Sequence, residues 1–266
     1  MSYYGQIAKM ISTNNAPIEY QMPIGNKTIN LNNYIGKMIS IKFNGEIFCI
    51  NCNKAIKKTY MQGYCYPCFI DSPQTSECIL RPHLCKAHLG ESRDMEWSNK
   101  YCLKDNYVYL SLTSNLKVGV TRYSQIPTRW IDQGAHHAIK FAKTPNRYLA
   151  GMIEKELSSK LSDRTQWRKM LQGNYDRNIN LLDKKNELAK SLSKEYQQYI
   201  SKNNTISDIK YPLDEQLDKI KSINLEKTPE VIGKLIGIKG QYIILNDSRV
   251  CNIRKYTGYI LTINFH

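Results

Sequence analysis

The sequence predicts an α+β protein, and three observations carry that prediction. Apolar residues alternate with polar ones in "APIEYQMPI", "GKMISIKFNGEIF" and "YVYLSLTSNLKVGVTR", the period of a strand with one buried face. Between 147 and 161 the period changes, with Leu149, Ile153, Leu157 and Leu161 recurring every four residues, the spacing of one helix face. Two CxxC pairs, "CINC" and "CYPC", stand close together, the mark of a module built round a metal ion.

With 266 residues the chain is long enough to bury a sizeable core, as two compact units or one elaborated unit. Lys and Arg total 38 against 23 acidic residues, a net charge of +15. Such an excess points to a polyanionic partner, nucleic acid first, although a Lys-, Asn- and Ile-rich nucleotide bias would leave the same balance. No apolar run approaches a membrane span, and "MSYYGQIAKM" lacks the apolar stretch of a signal peptide, so the expectation is a cytoplasmic protein with no membrane partner.

Residues 1–105 read as a β-rich, metal-stabilised module, with turns at Gly25, Gly36 and Gly45 and the cysteine-rich stretch from Cys49 to Cys102. A core at 106–173 holds the hairpin and the 147–161 helix. Residues 174–229 form a helical connection, beginning with "NYDRNINLLDKKNELAKSLSKEYQQYISKN". A thin apolar stripe of Ile179, Leu182, Leu188, Leu192 and Tyr196 there predicts a long, mostly exposed helix. Residues 230–266 return to strands. "GKLIGIK" at 233–239 nearly repeats "GKMISIK" at 36–42, which suggests that the two ends supply similar strands to one small barrel; two ordinary strands of similar composition would look alike too.

Cys49, Cys52, Cys65 and Cys68 have the spacing that lets four thiolates converge on one tetrahedral Zn2+. A redox dithiol would need only one of the pairs. A second cluster, "CILRPHLCKAH", offers Cys78, His83, Cys85 and His88, with Cys102 beyond it. Cys78, Cys85, His88 and Cys102 form a second candidate zinc tetrahedron, against the alternative of packed cysteines and a surface histidine. Four protein ligands leave no place for water, so the role expected of zinc is structural.

In the hairpin, Val108, Leu110, Leu112, Leu116, Val118 and Val120 share the core face. Tyr109, Lys117, Gly119 and Thr121 share the other. These residues carry a resemblance: "VYLSLTSNLKVGVTR" followed by "RW" resembles the GIY-YIG nuclease superfamily over about 107–170. The arrangement as a whole is also similar, over nearly the full length, to an uncharacterised bacterial family in which a cysteine-rich half precedes "LKVGVTR", "QIPTRWIDQGA" and "DRTQWRKML".

The nuclease resemblance implies an α/β core that hydrolyses phosphodiesters with a divalent metal. Tyr109 matches the tyrosine of the first motif, and Lys117 stands where the second tyrosine would be. Arg129 matches the arginine that holds the scissile phosphate, and Glu154 the glutamate that binds Mg2+ or Mn2+. Such a set suits the reaction, which needs a base, cations for the developing charge and a hard oxygen ligand. Small Ala150 and Gly151 beside Glu154 would let the hairpin approach the helix. The sequence departs from the pattern in three places. Gln133 comes nearest the expected histidine, with His136 and His137 later; Gln166 stands late in the region where an asparagine is expected; and the first motif is "YVY". Arg122, Arg147, Arg164 and Arg168, interleaved with Trp130 and Trp167, are the candidate contacts to a nucleic-acid backbone and its bases. The function expected is a nucleic-acid-binding zinc protein, DNA or RNA, with a metal-dependent endonuclease as the sharper form. The alternatives are a non-catalytic RNA-, DNA- or ribosome-associated factor and a zinc-dependent protein-interaction scaffold. Pattern alone does not give the oligomeric state.

Overall fold

The computed structural model describes residues 1–161, 166–213 and 217–266. In chain order the strands are β1 (Ser2–Gln6), β2 (Ile11–Thr13), β3 (Glu19–Ile24), β4 (Lys27–Asn30), β5 (Met38–Ile47), β6 (Asn106–Leu112), β7 (Leu116–Arg122), β8 (His137–Thr144), β9 (Ser207–Asp208), β10 (Lys221–Ser222), β11 (Glu230–Lys239), β12 (Tyr242–Leu245), β13 (Arg249–Asn252) and β14 (Tyr259–Phe265). The helices are α1 (Tyr66–Asp71), α2 (Met95–Tyr101), α3 (Thr128–Asp132), α4 (Arg147–Ser158), α5 (Trp167–Leu171), α6 (Leu181–Ser191) and α7 (Lys194–Gln197). The fold is α+β, with a cysteine-rich β module near the amino terminus and strands at the carboxy terminus.

Two compact units make up the chain, one of Met1–Ile70 with Lys210–His266 and one of Asp71–Ile209. The sequence boundary at 105/106 thus gives way to one at 70/71. The second cysteine cluster, Cys78 to Cys102, belongs with the hairpin core and not with the β module.

In the first unit a seven-stranded sheet runs β1-β14-β5-β11-β12-β13-β10, beside a three-stranded sheet β2-β3-β4. The two near-repeat segments lie side by side and antiparallel, with Glu230 opposite Lys42 and Lys234 opposite Met38. Strand β14 pairs with the other edge of β5, Leu261 opposite Phe43 and Phe265 opposite Ile39. Residues from both ends, including Ile39, Ile41, Leu235, Leu261 and Ile263, are buried. Neither end of the chain could bury these apolar faces alone.

In the second unit the sheet order is β7-β6-β8-β9. Strand β6 is central and buried at all seven positions, so both of its faces are covered. Val108, Leu110, Leu112, Leu116 and Val118 join Ala150, Ile153 and Leu157 of α4 in one apolar cluster. Helix α4 starts where Asn146 accepts the Leu149 N–H through its side chain, at 2.9 Å, an N-cap that meets one of the unpaired donors of the first turn.

The long helix predicted over 174–202 is instead two short ones, α6 and α7. Asn180 caps the first by accepting from Leu182 and Asp183. Leu192 is extended at its end (ψ 142°), and the following Ser193 N–H is taken by the Glu156 carboxylate at 2.8 Å. Of the apolar stripe, Leu188, Leu192 and Tyr196 are buried in the same cluster as the hairpin, with Ile179 and Leu182 partly buried against it, and Leu181 joins them. Lys185 is buried with them, its ammonium donating to Ser201 O, Asn203 O and Asn204 Oδ1 at 2.6–2.9 Å. Three oxygens for three donors make a buried lysine tolerable.

Candidate metal centres and a cationic cleft

Cys49 follows β5, and the chain turns at once, Asn53 taking a left-handed φ of 56° and donating its N–H to Cys49 O at 2.9 Å. Tyr60 and Tyr64 then pair across a loop in which Met61, Gln62 and Gly63 all have positive φ. Gly63 is required there, because a Cβ would meet the Ile50 side chain at 2.9 Å. These two turns carry Cys49 and Cys52 to Cys65 and Cys68. The four Sγ atoms all lie within 4.8 Å of one another, and Cys52 Sγ sits 3.8 Å from Cys65 Sγ. A tetrahedron with metal–sulfur bonds of about 2.3 Å has edges of ~3.8 Å, so the spacing fits a zinc-sized ion. Backbone amides already serve thiolate charge: Cys65 N–H and Asn51 N–H point at Cys49 Sγ at 3.2 and 3.4 Å. Burial raises the Cys49 thiol, but donors from Cys52, Cys65 and Asn51 outweigh it and bring it down to about 6.

The second cluster contains Cys78, Cys85 and Cys102, whose Sγ atoms also lie within 4.8 Å of one another. His88, expected as its fourth ligand, is not part of it. Its ring is exposed and stacks on Tyr148, centroids 4.3 Å apart. The short turn Ala87–Leu89 ends at Gly90 with φ 81°, and that reversal holds His88 on the aromatic surface. Hydrogen bonds with the Cys102 and Cys78 thiols draw the Cys85 thiol down to about 3, while the same coupling pushes Cys78 up. Both clusters can hold a metal ion.

Residues 79–83, the chain between Cys78 and Cys85, form one wall of a cleft of about 410 Å³. Its other walls come from Lys117, Val118, Gly119 and Val120 of β7, from Arg129 and Gln133 at α3, and from Glu154, Lys155 and Ser158 of α4. Lys117, Arg129 and Lys155 line it with one carboxylate, Glu154, and with His83, and a fourth cation, Arg81, is paired with Glu77. Such a balance attracts an anion. The loop reaches the helix because position 151 is glycine: a Cβ there would fall 2.1 Å from His83 N and 2.3 Å from Pro82 C. Gly151 therefore admits the cysteine-rich loop and not, as expected from its place beside Glu154, the hairpin. Ala150, its neighbour, is the residue that faces the hairpin core.

Lys117, Arg129 and Glu154 thus meet in one cleft, and Tyr109 stands behind it. Tyr109 is fully buried, its ring edge-on to Trp130 at 6.1 Å, and its hydroxyl donates to Gln133 Oε1 at 2.8 Å. Burial pushes its hydroxyl pKa up, with the Arg129 cation opposing and Glu154 adding to the rise. The hydroxyl is therefore protonated at neutral pH in this state and holds Gln133. His136 and His137 lie away from the cleft: His136 stacks on Tyr175, and His137 pairs with Asp208 through Nδ1 at 2.6 Å. The histidine that does line the cleft is His83. The only sequence hint was a mid-helix glycine, which costs helix stability and so signals a close contact.

The backbone-contact candidates divide. Trp130 is buried, as an anchor for its loop, and is not available to stack on a base. Arg147 is also buried, its guanidinium 5.8 Å from the Trp97 ring and 3.4 Å from Cys78 O. Arg122 lies over the Tyr101 ring at 4.6 Å and is part-buried. Arg168 is exposed over Trp167 at 4.3 Å. Arg164 lies outside the described residues.

A family model described as "Protein of unknown function (DUF2797)" matches residues 36–261. The chain belongs to that family. The match takes in both cysteine clusters, the hairpin, α4 and the strands β11 to β13. No curated protein and no solved structure matches significantly. Among the described residues, no helix is long and apolar enough to cross a membrane.

Proposed function

We propose that this DUF2797 protein binds the phosphate backbone of a nucleic acid in the β7–α3–α4 cleft and cleaves it there with a divalent cation. One observation carries the reading: Lys117, Arg129 and Glu154, three of the four residues singled out by the GIY-YIG resemblance, line one cleft although they come from three elements. Arg129 and Lys117 hold the phosphate and offset the charge that develops on it. Glu154 is the hard oxygen ligand for Mg2+ or Mn2+, which needs few protein donors because it keeps several waters. The ion, when bound, polarises a phosphoryl oxygen and lowers the pKa of water. Zn2+ in the four-cysteine site has a different task, holding the β module together.

One observation favours a second reading, binding without cleavage. The tyrosine of the first motif is sealed behind the cleft and committed to Gln133, so it contributes position and no proton transfer. Either way, affinity for a labelled single- or double-stranded oligonucleotide should fall steeply as salt rises, since counterions are released on binding. Arg129→Ala should weaken binding about tenfold or more and flatten the salt slope, consistent with the loss of a charge-assisted contact worth on the order of 1.5–3 kcal/mol. Binding that is indifferent to both salt and Arg129→Ala would leave a protein-interaction scaffold as the better description.

A further inference from the structure

The three-cysteine cluster differs from the four-cysteine one in what surrounds it. Cys78, Cys85 and Cys102 are all on the wall of one cavity of about 350 Å³, separate from the cationic cleft. Among the described residues no fourth Cys, His, Asp or Glu atom joins the three sulfurs. The carboxylates on the cavity wall are engaged elsewhere: Glu77 is held by Arg81 at 2.9 Å, and Glu91 by Lys86 at 3.1 Å. His88 is turned onto Tyr148. The rest of the surroundings are built for charge. Three thiolates and a divalent ion carry a net charge of −1, and the buried Arg147 guanidinium reaches the Cys78 carbonyl at 3.4 Å beside them. Trp97, with Arg147 over its face, closes another side of the cavity.

We propose that Cys78, Cys85 and Cys102 hold a thiophilic divalent cation through three protein ligands, leaving its fourth position open to this cavity for a small exogenous oxygen or nitrogen donor. Closed structural sites use four protein ligands, and three plus an exchangeable one is the pattern of sites that bind or activate something. The proposal stands independently of the reading of the cationic cleft. A small neutral ligand fits it, because the cations on the cavity wall are already engaged, Lys86 by Glu91 and Arg93 by Ser72 O and Thr75 Oγ1.

Cobalt(II) reports the coordination directly. Full-length protein, stripped of metal and reloaded with Co2+, should take up two equivalents, and imidazole should then shift the visible bands of one equivalent saturably while the four-cysteine equivalent stays unchanged. His88→Ala should give the same stoichiometry and the same imidazole response. Cys102→Ser should lose the responsive equivalent; if that variant does not fold, the wild-type titration and His88→Ala decide alone. Two results would overturn the proposal: a spectrum blind to imidazole, which means a closed site, or loss of the second equivalent in His88→Ala, which makes that histidine the fourth ligand. Uptake of a single, imidazole-insensitive equivalent by the wild type would remove the centre altogether.

Discussion

Gly119 and Tyr109 show what a single atom decides in this site. They are directly opposed on β7 and β6, and the tyrosine ring lies across the glycine. A Cβ at 119 would sit 2.5 Å from the Tyr109 hydroxyl oxygen and 2.7 Å from Cζ, closer than any real contact. Gly119→Ala must therefore push a fully buried ring off Gln133, at a cost of about 1–3 kcal/mol. Because the two residues clash directly, their effects should not add: in thermal or denaturant unfolding, Gly119→Ala on a Tyr109→Leu background should cost clearly less than in the wild type. Equal costs on both backgrounds would mean that the ring is not where the strain arises. The alternation of "YVYLSLTSNLKVGVTR" already put Tyr109 and Gly119 on one face. It did not reveal that the face is interior, because Tyr107, Tyr109 and Ser111 read as a polar side, whereas all three are buried and the Tyr109 ring packs edge-on against Trp130.

At the scale of elements, the β7-β6-β8 sheet and α4 were readable because long apolar periodicities leave little choice of face. The loop 79–83 was not. Its residues were read for their metal-binding types, and the backbone approach of Pro82 and His83 to Gly151 depends on a contact between segments about seventy residues apart. The 174–202 helix failed for a related reason: charged residues with good helix propensity outline a helix, but Leu192 and Ser193 are drawn out of it by Glu156. Strand β11 carries its own unreadable feature, Lys239, which alternation does not forbid and which the fold nonetheless buries to 2% exposure. Its ammonium stands 5.3 Å from the Tyr211 ring, and burial brings its pKa from 10.5 to about 7.

The sign of the consequence follows from proton counting. Between about pH 7 and 10.5 the unfolded chain binds a proton at Lys239 that the folded chain does not, so stability rises with pH across that window and is flat, with the full cost present, below it. Lys239→Met should stabilise the protein at pH 6–7 by on the order of 3–5 kcal/mol, and by progressively less as pH approaches 10. Urea unfolding at three pH values measures this. A gain that stays constant with pH would show that Lys239 is charged in the fold.

Seen as a whole molecule, the chain closes one unit from its two ends and inserts the other between them. The net charge of +15 and the paired cysteines were visible without a structure, and so was the resemblance of 107–170 to a nuclease. What the charge could not say is where it concentrates, since a cleft that sets Lys117, Arg129 and Lys155 around the Glu154 carboxylate assembles only when 79–83, β7, α3 and α4 meet. That assembly is also what gives Glu154 its proposed role: a carboxylate among arginines and lysines is either an ion-pair partner or a metal ligand, and the two differ in what its loss does. The deciding measurement is cleavage of a labelled panel of single- and double-stranded DNA and RNA by the purified protein with Mg2+ or Mn2+, beside Glu154→Ala. Metal-dependent cutting that falls by at least a hundredfold in Glu154→Ala, with oligonucleotide binding retained, is the predicted result. Cutting that persists undiminished in Glu154→Ala, or no cutting of any substrate with either metal by the wild type, would contradict it.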